Sequence, residues 1–443
     1  MRKMKIGAAV AAIAVTVALA LTGCAPAGND NLVSTNGSEP QNPLIPTNTN
    51  ETGGGLIVDS IFAGLVYYDA MGAPGNEMAE SITSSDNQTW TIKIKSGWKF
   101  TNGEEVTADS YVKAWKYGAL LSTAQLNSYF FDVIEGFSYE NDSDLTGLTV
   151  VSPTEFTVKL SAPQSDFPLR LGYTAFMPLP QAFFDDPKAF GENPIGNGPY
   201  MLAENGAWKH NVDISLVKNS AYSGGRKPMN GGVKIVFYAT QEAAYADLLA
   251  DNLDVLSGIP DSALKTFQSD LGERAISQAA AIFQSFTIPT RLAHFSGEEG
   301  NLRRQAISMS INRQEVIDAI FNGTRQPAKD FTSPVIAGWS DKLPGSEVLD
   351  FNATKAKELW AKADAIAPWT GSFQIGYNAD GGHQGWVDAV ANQIKNTLGI
   401  DASGAPYPTF GEFRTAVTDQ TIKTAFRTGW QADYPALANF LEP

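Results

Sequence analysis

Residues 89–118 read TWTIKIKSGWKFTNGEEVTADSYVKAWKYG, and this stretch predicts a strand, a turn and a helix in succession. Over residues 90–95 apolar and polar side chains alternate, which is the period of a half-buried strand. A turn signal follows at residues 101–103, and Thr107 then offers an N-cap to a helix. The order of these elements predicts a fold that combines sheet and helix.

The same two patterns recur along the rest of the chain. Apolar residues alternate over 156–160 and again over 233–237, which predicts two more strands. Helical spacing predicts helices over residues 56–68, after Thr240, from Asn301, after Asn312, over 354–363 and over 384–398. Strands and helices alternate without a regular βαβ rhythm, so the class is α/β or α+β with more than one sheet.

Length and charge limit the possible partners. A chain of 443 residues is too long for one core and indicates two or three domains. Its formal net charge of −15 repels nucleic acid and anionic lipid headgroups, so neither is expected as a partner.

The N-terminus has the pattern of a secretion signal. A basic start precedes the apolar run 6–21, and the run ends in Leu-Thr-Gly-Cys at residues 21–24. This ending resembles the lipobox of bacterial lipoproteins, which predicts removal of residues 1–23, lipidation of Cys24 and a flexible tether over residues 24–36. The alternative is a transmembrane helix, for which the apolar run is short against the ~20 residues needed.

Catalytic and metal-binding patterns are missing from the sequence. It contains no G-x-S-x-G, no H-E-x-x-H, no phosphate loop and no G-x-G-x-x-G. Its single cysteine excludes an intrachain disulfide and a multi-cysteine zinc site, and its three histidines lack ligand-like spacing. The expectation is a protein that is not an enzyme and that has neither a cofactor nor a metal.

Five stretches, spread along most of the chain, resemble the oligopeptide- and dipeptide-binding proteins (family 5) that serve ABC-type importers. They are EPQNPL (39–44), GWKFTNGEEVTAD (97–109), PIGNGPY (194–200), the helix from Arg303 to Arg313, and GWQADYP (429–435).

The resemblance implies an α/β fold of the periplasmic-binding-protein type (class II), in which two lobes close on a solute. The first lobe would consist of residues 37–70 and 177–281, and an extra α+β domain would be inserted at 71–176. The second lobe would be residues 282–443. Members of the family continue well beyond the last matching motif, so this lobe is expected to be incomplete.

A receptor for varied peptides must bind what all peptides share, beginning with the charged α-amine. Burying that amine costs several kcal/mol unless a carboxylate meets it. The resemblance assigns this contact to Asp433 and gives Trp430 and Gln431 the task of pairing with the ligand backbone as a strand. Tyr434 is expected either in the cleft wall or in the core.

From the other lobe, the resemblance brings the loop that contains Asn50 and Thr52 towards the ligand. The partner of the ligand carboxylate stays open among several basic residues: Arg291, Arg303, Arg414 and Arg427.

The predicted function is therefore that of a monomeric lipoprotein, held at the outer side of the cell membrane by Cys24, that captures short peptides for an ABC permease. An oligosaccharide or another small solute is the alternative ligand. A surface lipoprotein without a transport role and an enzyme are the alternative classes.

Overall fold

A computed structural model describes residues 32–142 and 144–441 of the chain. The predicted signal peptide, Cys24 and the first part of the predicted tether lie outside the described residues. No helix in the described part is long and apolar enough to cross a membrane.

Strands and helices alternate along the described chain. The strands are β1 (Leu32–Gly37), β2 (Val66–Tyr68), β3 (Pro74–Asn76), β4 (Ala79–Thr83), β5 (Thr89–Ile94), β6 (Leu148–Ser152), β7 (Glu155–Lys159), β8 (Tyr200–Leu202), β9 (Trp208–Lys209), β10 (Asp213–Lys218), β11 (Gly232–Phe237), β12 (Ile282–Thr287), β13 (Phe373–Asn378), β14 (Ala402–Tyr407) and β15 (Ala425–Gln431). The helices are α1 (Thr52–Ile61), α2 (Ala108–Ala119), α3 (Phe167–Arg170), α4 (Gln181–Asp185), α5 (Pro187–Glu192), α6 (Gln241–Leu249), α7 (Phe267–Leu271), α8 (Gly297–Met309), α9 (Arg313–Ile320), α10 (Ala353–Ile366), α11 (Gln384–Leu398), α12 (Phe410–Thr418) and α13 (Ala438–Leu441).

The first sheet has the order β1-β11-β10-β8, with β9 paired to β10. Its edge strand β1 corrects the predicted tether over residues 24–36. Residues 32–37 pair in parallel with residues 232–237 of β11 and are ordered by that partner. The local sequence has no hydrophobic period, because an edge strand of this kind is held through its backbone hydrogen bonds more than through side-chain burial.

The second sheet, β4-β5-β7-β6, is antiparallel and confirms the strands predicted over residues 90–95 and 156–160. The predicted helix also forms and begins at Ala108 with Thr107 as its N-cap residue. The backbone N–H of Thr107 donates to Ser110 Oγ (3.2 Å), which satisfies one donor at this helix start. Trp115 of α2 is fully buried and meets Phe156 of β7 edge to face, with the ring centroids 5.5 Å apart.

The third sheet has the order β12-β15-β13-β14 and is covered by helices α8 to α11. The predicted helix over 384–398 has these same bounds in the structure. Asn312 caps α9 as expected, since its Oδ1 accepts from the backbone N–H of Glu315 (3.3 Å). The predicted helices after Thr240 and over 354–363 are also confirmed.

The helix predicted over residues 56–68 is wrong in both of its bounds. The helix α1 begins at Thr52, because Glu51 accepts hydrogen bonds from its first N–H groups. It ends at Ile61, because Phe62 is extended, and residues 66–68 form β2. Residues 61–66 are all buried, so periodicity alone did not separate the end of the helix from the strand that follows.

Two large apolar cores support the three sheets. One core extends from the first sheet into the region of the second and includes the ring of Tyr434. The other fills the space between the third sheet and its helices. All strands of the second sheet lie within residues 71–176, and those of the third lie beyond 281. The residue bounds of the two lobes and of the insertion stay a prediction.

Candidate ligand-binding cleft

The strand β15 has one open edge. It pairs with β12 over residues 426–431 but with β13 only through Ala425 and Phe426. On the β13 side, residues 427–431 have no strand partner in the part of the chain that the structure describes. An extended ligand backbone is able to pair with the N–H and C=O groups of this edge.

Asp433 lies two residues beyond this open edge and is partly buried. Its carboxylate accepts a hydrogen bond from Asn439 Nδ2 (2.9 Å), and the hydroxyl of Tyr173 bonds the same group. Among residues 32–142 and 144–441, no cationic side chain forms an ion pair with it. Burial raises the pKa of Asp433 to about 6, although both hydrogen bonds act in the opposite direction. The site therefore contains an acid that lacks a cation.

Three tyrosines from the first core lie within electrostatic reach of Asp433: Tyr68, Tyr129 and Tyr173. Burial raises the pKa of each phenol, and the negative charge of Asp433 raises it further. These hydroxyls stay neutral near pH 7 and offer hydrogen bonds without a positive charge. Because they belong to one core and Asp433 follows a strand of another sheet, the acid lies between the two halves of the molecule.

The predicted neighbours of Asp433 have different surroundings. Trp430 is half-buried, and its Nε1 donates to Asn439 Oδ1 (3.0 Å). Gln431 is exposed at the end of β15. Tyr434 is 4% exposed and packs against Phe130 within the first core. The structure thus brings Trp430 and Asp433 together through Asn439, whereas Tyr434 anchors the segment in the core. Their contacts with a ligand stay predictions.

Asn50 and Thr52 lie at the start of α1, and their approach to a ligand stays a prediction. The Oδ1 atom of Asn50 is buried and has no hydrogen-bond partner, so it is available as an acceptor. Thr52 is exposed at the first turn of α1. In the part of the chain described by the structure, no hydrogen bond or ring contact joins either residue to residues 430–433.

The glycines after Glu51 do not form an anion site. Glu51 Oε2 accepts from the N–H of Gly53 (2.7 Å) and its Oε1 from that of Gly54 (2.8 Å), so the protein's own carboxylate fills the helix start. Burial raises the pKa of Glu51, and the positive charge of Arg414 on α12 lowers it. The charge of Arg414 therefore acts on Glu51, although no ion pair joins the two side chains among the described residues.

Two of the four arginines considered for the ligand carboxylate are already engaged. Arg303 is fully buried and forms ion pairs with Glu299 (2.8 Å) and Asp364 (3.0 Å). Arg291 donates through Nη2 to the carbonyl oxygen of Ile422 (3.3 Å). The internal partners of Arg303 assign it a structural role.

Arg427 lies on β15, six residues before Asp433, and makes no ion pair with any described residue. Its Nε and Nη2 both donate to Asn378 Oδ1, at 3.0 and 2.7 Å, so the guanidinium is oriented by a neutral partner. Burial lowers the pKa of Arg427 to about 10, the neighbouring charge of Arg414 contributes, and the charge of Asp380 acts in the opposite direction. A contact of Arg427 or Arg414 with a ligand carboxylate stays a prediction.

A cavity of about 470 Å³ is lined by Asp261, Arg325 and His383 among other residues, and its lining includes neither Asp433 nor Arg427. Burial lowers the pKa of His383 to about 4, and the charges of Arg427 and Arg325 lower it further. The cavity is therefore separate from the open edge of β15, and its one connection to Arg427 is the charge that acts on His383.

Several of these residues were absent from the sequence prediction: Tyr129, Tyr173, Arg325, His383 and Asn439. The tyrosines and Asn439 carry no sequence signal for the site, because side chains of these types occur along the whole chain.

The other two histidines bond to acids: His210 to Glu39 and Glu192, and His294 to Glu299. Among the described residues, no group of three or more possible metal ligands is present.

Comparison with known proteins gives a consistent result. The family model for bacterial extracellular solute-binding proteins, family 5 Middle, matches residues 73–443. The oligopeptide-binding protein OppA of Bacillus subtilis is 25% identical over 417 residues, covering 90% of this chain and 74% of that protein. The dipeptide-binding protein DppE of the same organism is 27% identical over 403 residues, covering 87% and 71%. Among solved structures, the murein tripeptide binding protein MppA of Escherichia coli matches with a TM-score of 0.81 at 22% identity, covering 93% and 81%.

Proposed function

The chain belongs to the family 5 bacterial extracellular solute-binding proteins, and we propose that it captures short peptides by their free α-amine and delivers them to an ABC-type permease. The family consists of binding proteins that act outside the cytoplasm. The similarity to OppA and DppE supports peptides as the ligand class. The carboxylate of Asp433, which lacks a cation among the described residues, favours an amine over the oligosaccharide alternative.

The observation that carries the proposal is the state of Asp433. A buried carboxylate is normally paired with a cation, and this one is not. An α-ammonium group placed against it supplies the missing charge, and the neutral hydroxyl of Tyr173 is at hand for a further hydrogen bond. The loss of solvation on closing the cleft is then offset by an ion pair inside it.

The open edge of β15 gives the peptide a direction. With its amine at Asp433 and its carboxylate at Arg427, the ligand runs antiparallel to the strand along residues 427–431. Four strand steps separate residues 427 and 431 and span ~14 Å. That distance corresponds to about four extended residues, so the proposed ligands are short peptides.

Asn50 and Thr52 complete the proposed site from the α1 side. The unpartnered Oδ1 of Asn50 supports a hydrogen bond to a ligand N–H group, and the exposed hydroxyl of Thr52 supports a second one. Gln431 and Trp430 are proposed to contact the ligand backbone and its first side chain.

We further propose that the protein works as a monomer held at the membrane by a lipid on Cys24. The basic start, the apolar run and the Leu-Thr-Gly-Cys sequence support this proposal. Mass spectrometry of the protein made in a bacterial host tests it, with Cys24→Ala as the control that is expected to lose the lipid mass.

Calorimetry with a short peptide and its N-acetylated form tests the amine site. Replacing the charged carboxylate in Asp433→Asn removes about 3 kcal/mol, so the free-amine peptide is expected to bind about 100-fold more weakly. The exposed Asp419 provides a matched control, since Asp419→Asn changes the net charge equally and should leave affinity unchanged. Equal affinity of the wild-type protein for the two peptides would refute the amine site. A cello-oligosaccharide that binds in their place would refute the ligand class.

A further inference from the structure

Asn439 connects the two residues that the proposed ligand meets first. It lies on α13 and is 4% exposed. Its Oδ1 accepts from Trp430 Nε1 (3.0 Å) and from the backbone N–H of Asp433 (2.8 Å), while its Nδ2 donates to Asp433 Oδ2 (2.9 Å). One amide group therefore holds the indole, the backbone and the carboxylate.

The chemistry of the partners fixes the orientation of this amide. An indole N–H and a backbone N–H are donors only, so they require the oxygen of Asn439. An ionised carboxylate is an acceptor only, so it requires the NH₂ group. With the amide flipped, all three hydrogen bonds would be lost. Among the common side chains of this size, asparagine has both an oxygen that accepts two hydrogen bonds and an NH₂ group that donates one.

Asn439 also determines where the charge of Asp433 points. The carboxylate has about four acceptor sites, and Asn439 takes one on Oδ2. The bond between the Asp433 N–H and Asn439 closes the turn that follows β15, so the acid cannot move away from the strand edge without breaking it. The remaining acceptor sites are left for the Tyr173 hydroxyl and a ligand ammonium.

The geometry points to Asn439 as the positioning residue of the ammonium site, which sets the preference for ligands with a free α-amine. This inference rests on the proposed function, because it assigns Asn439 a role that acts through Asp433. A merely structural role for Asn439 would weaken binding of every ligand equally, whereas a positioning role affects only ligands that place a charge at Asp433.

The test compares the affinity ratio of a short peptide and its N-acetylated form, measured by calorimetry on the full chain. In Asn439→Ala, the preference for the free amine is expected to fall about tenfold, since a hydrogen bond to a charged group is lost. Asn312→Ala serves as the control, because it also removes a hydrogen bond made by an asparagine side chain but lies at the start of α9. It should leave the ratio unchanged.

A second variant keeps the test valid if Asn439→Ala does not fold. In Asn439→Asp both acceptor bonds are retained, and two carboxylates this close share one proton, which restores the donor to Asp433. Its preference for the free amine is expected to stay within about threefold of the wild-type value. Folding of each variant is checked by thermal unfolding.

The outcomes separate the two proposals. If the wild-type protein prefers the free amine and folded Asn439→Ala keeps the same ratio, the positioning role is wrong and the amine site stands. A folded Asn439→Asp with the low ratio of Asn439→Ala also contradicts the positioning role. If the wild-type protein itself shows no preference, the amine site fails.

Discussion

The pKa of Asp433 makes a quantitative prediction about peptide capture: affinity should follow a bell-shaped curve with pH. In the empty cleft, burial holds the pKa of this carboxyl near 6. The bound ammonium favours the ionised form and lowers that pKa, so binding below pH 6 requires the release of a proton. The ligand's own α-amine has a pKa of about 8, and above it the ligand loses the charge that the acid binds.

The magnitude follows from the protonated fraction. At pH 7 about one tenth of the empty sites carry the proton, whereas at pH 5 about nine tenths do. The affinity for a free-amine peptide should therefore be about tenfold lower at pH 5 than at pH 7. A comparable loss of about tenfold is expected one pH unit above the amine pKa, because only a tenth of the ligand is then charged.

Isothermal calorimetry from pH 5 to pH 9 with an alanine tetrapeptide measures both limbs, since its side chains do not titrate. The N-acetylated tetrapeptide should show neither limb, and Asp433→Asn should lose the acidic limb and flatten the basic one, because the negative charge that pairs with the ammonium is gone. The tyrosines around the acid do not titrate in this range, because burial and the charge of Asp433 raise their pKa values. A free-amine affinity that is constant between pH 5 and pH 7 would refute the assignment.

Three further outcomes are expected. Arg427→Gln should weaken binding of a peptide with a free carboxylate by about tenfold or more and leave the affinity for a C-terminally amidated peptide unchanged. Calorimetry with both peptides measures this difference. An equal loss of affinity for the two peptides would argue against a carboxylate contact. Gly196→Ala should destabilise the fold by several kcal/mol or prevent folding, because the new Cβ would lie 1.9 Å from the carbonyl oxygen of Ile61. In Gly55→Ala the new Cβ meets nothing within 4 Å, so this variant should stabilise α1 by about 0.5 to 1 kcal/mol. Denaturant titrations measure both changes. His210 bonds two glutamates that raise its pKa. Its stabilising effect is therefore present below the pKa of an unfolded histidine and disappears as pH rises through the higher folded value. Thermal unfolding should show that His210→Gln costs about 0.5 kcal/mol or less at pH 6, since the ring is half exposed, and that this cost vanishes at pH 9.

The elements that sequence predicted well are those whose signals are local. The helix over residues 384–398 combines an unbroken apolar stripe with a glycine at its end, and both its bounds were correct. Thr107 and Asn312 marked the starts of α2 and α9, because an N-cap depends on residues within three positions of itself. For the candidate site, sequence supplied the position of Asp433 only through its motif.

Local signals failed where a distant segment decides the conformation. Residues 32–36 look like a tether in isolation and become a strand because β11 offers them a parallel partner. The run 61–68 is apolar throughout, and the packing of its surroundings ends the helix at Ile61 and forms a strand over residues 66–68. The sequence did not distinguish the four candidate arginines, whereas the structure shows that Arg303 forms ion pairs with Glu299 and Asp364 and that Arg427 forms none with a described residue.

The sequence by itself therefore determined the mixed helix-and-sheet class, most of the elements, and the family. The tertiary structure alone decided the chemistry of the cleft. In the folded chain Asp433 is partly excluded from water and has no cationic partner among the described residues, and Asn439 donates a hydrogen bond to its carboxylate. The reason is that helix and strand formation depends on neighbours along the chain, whereas the charge state of a side chain depends on solvent exclusion and on groups that meet only after folding.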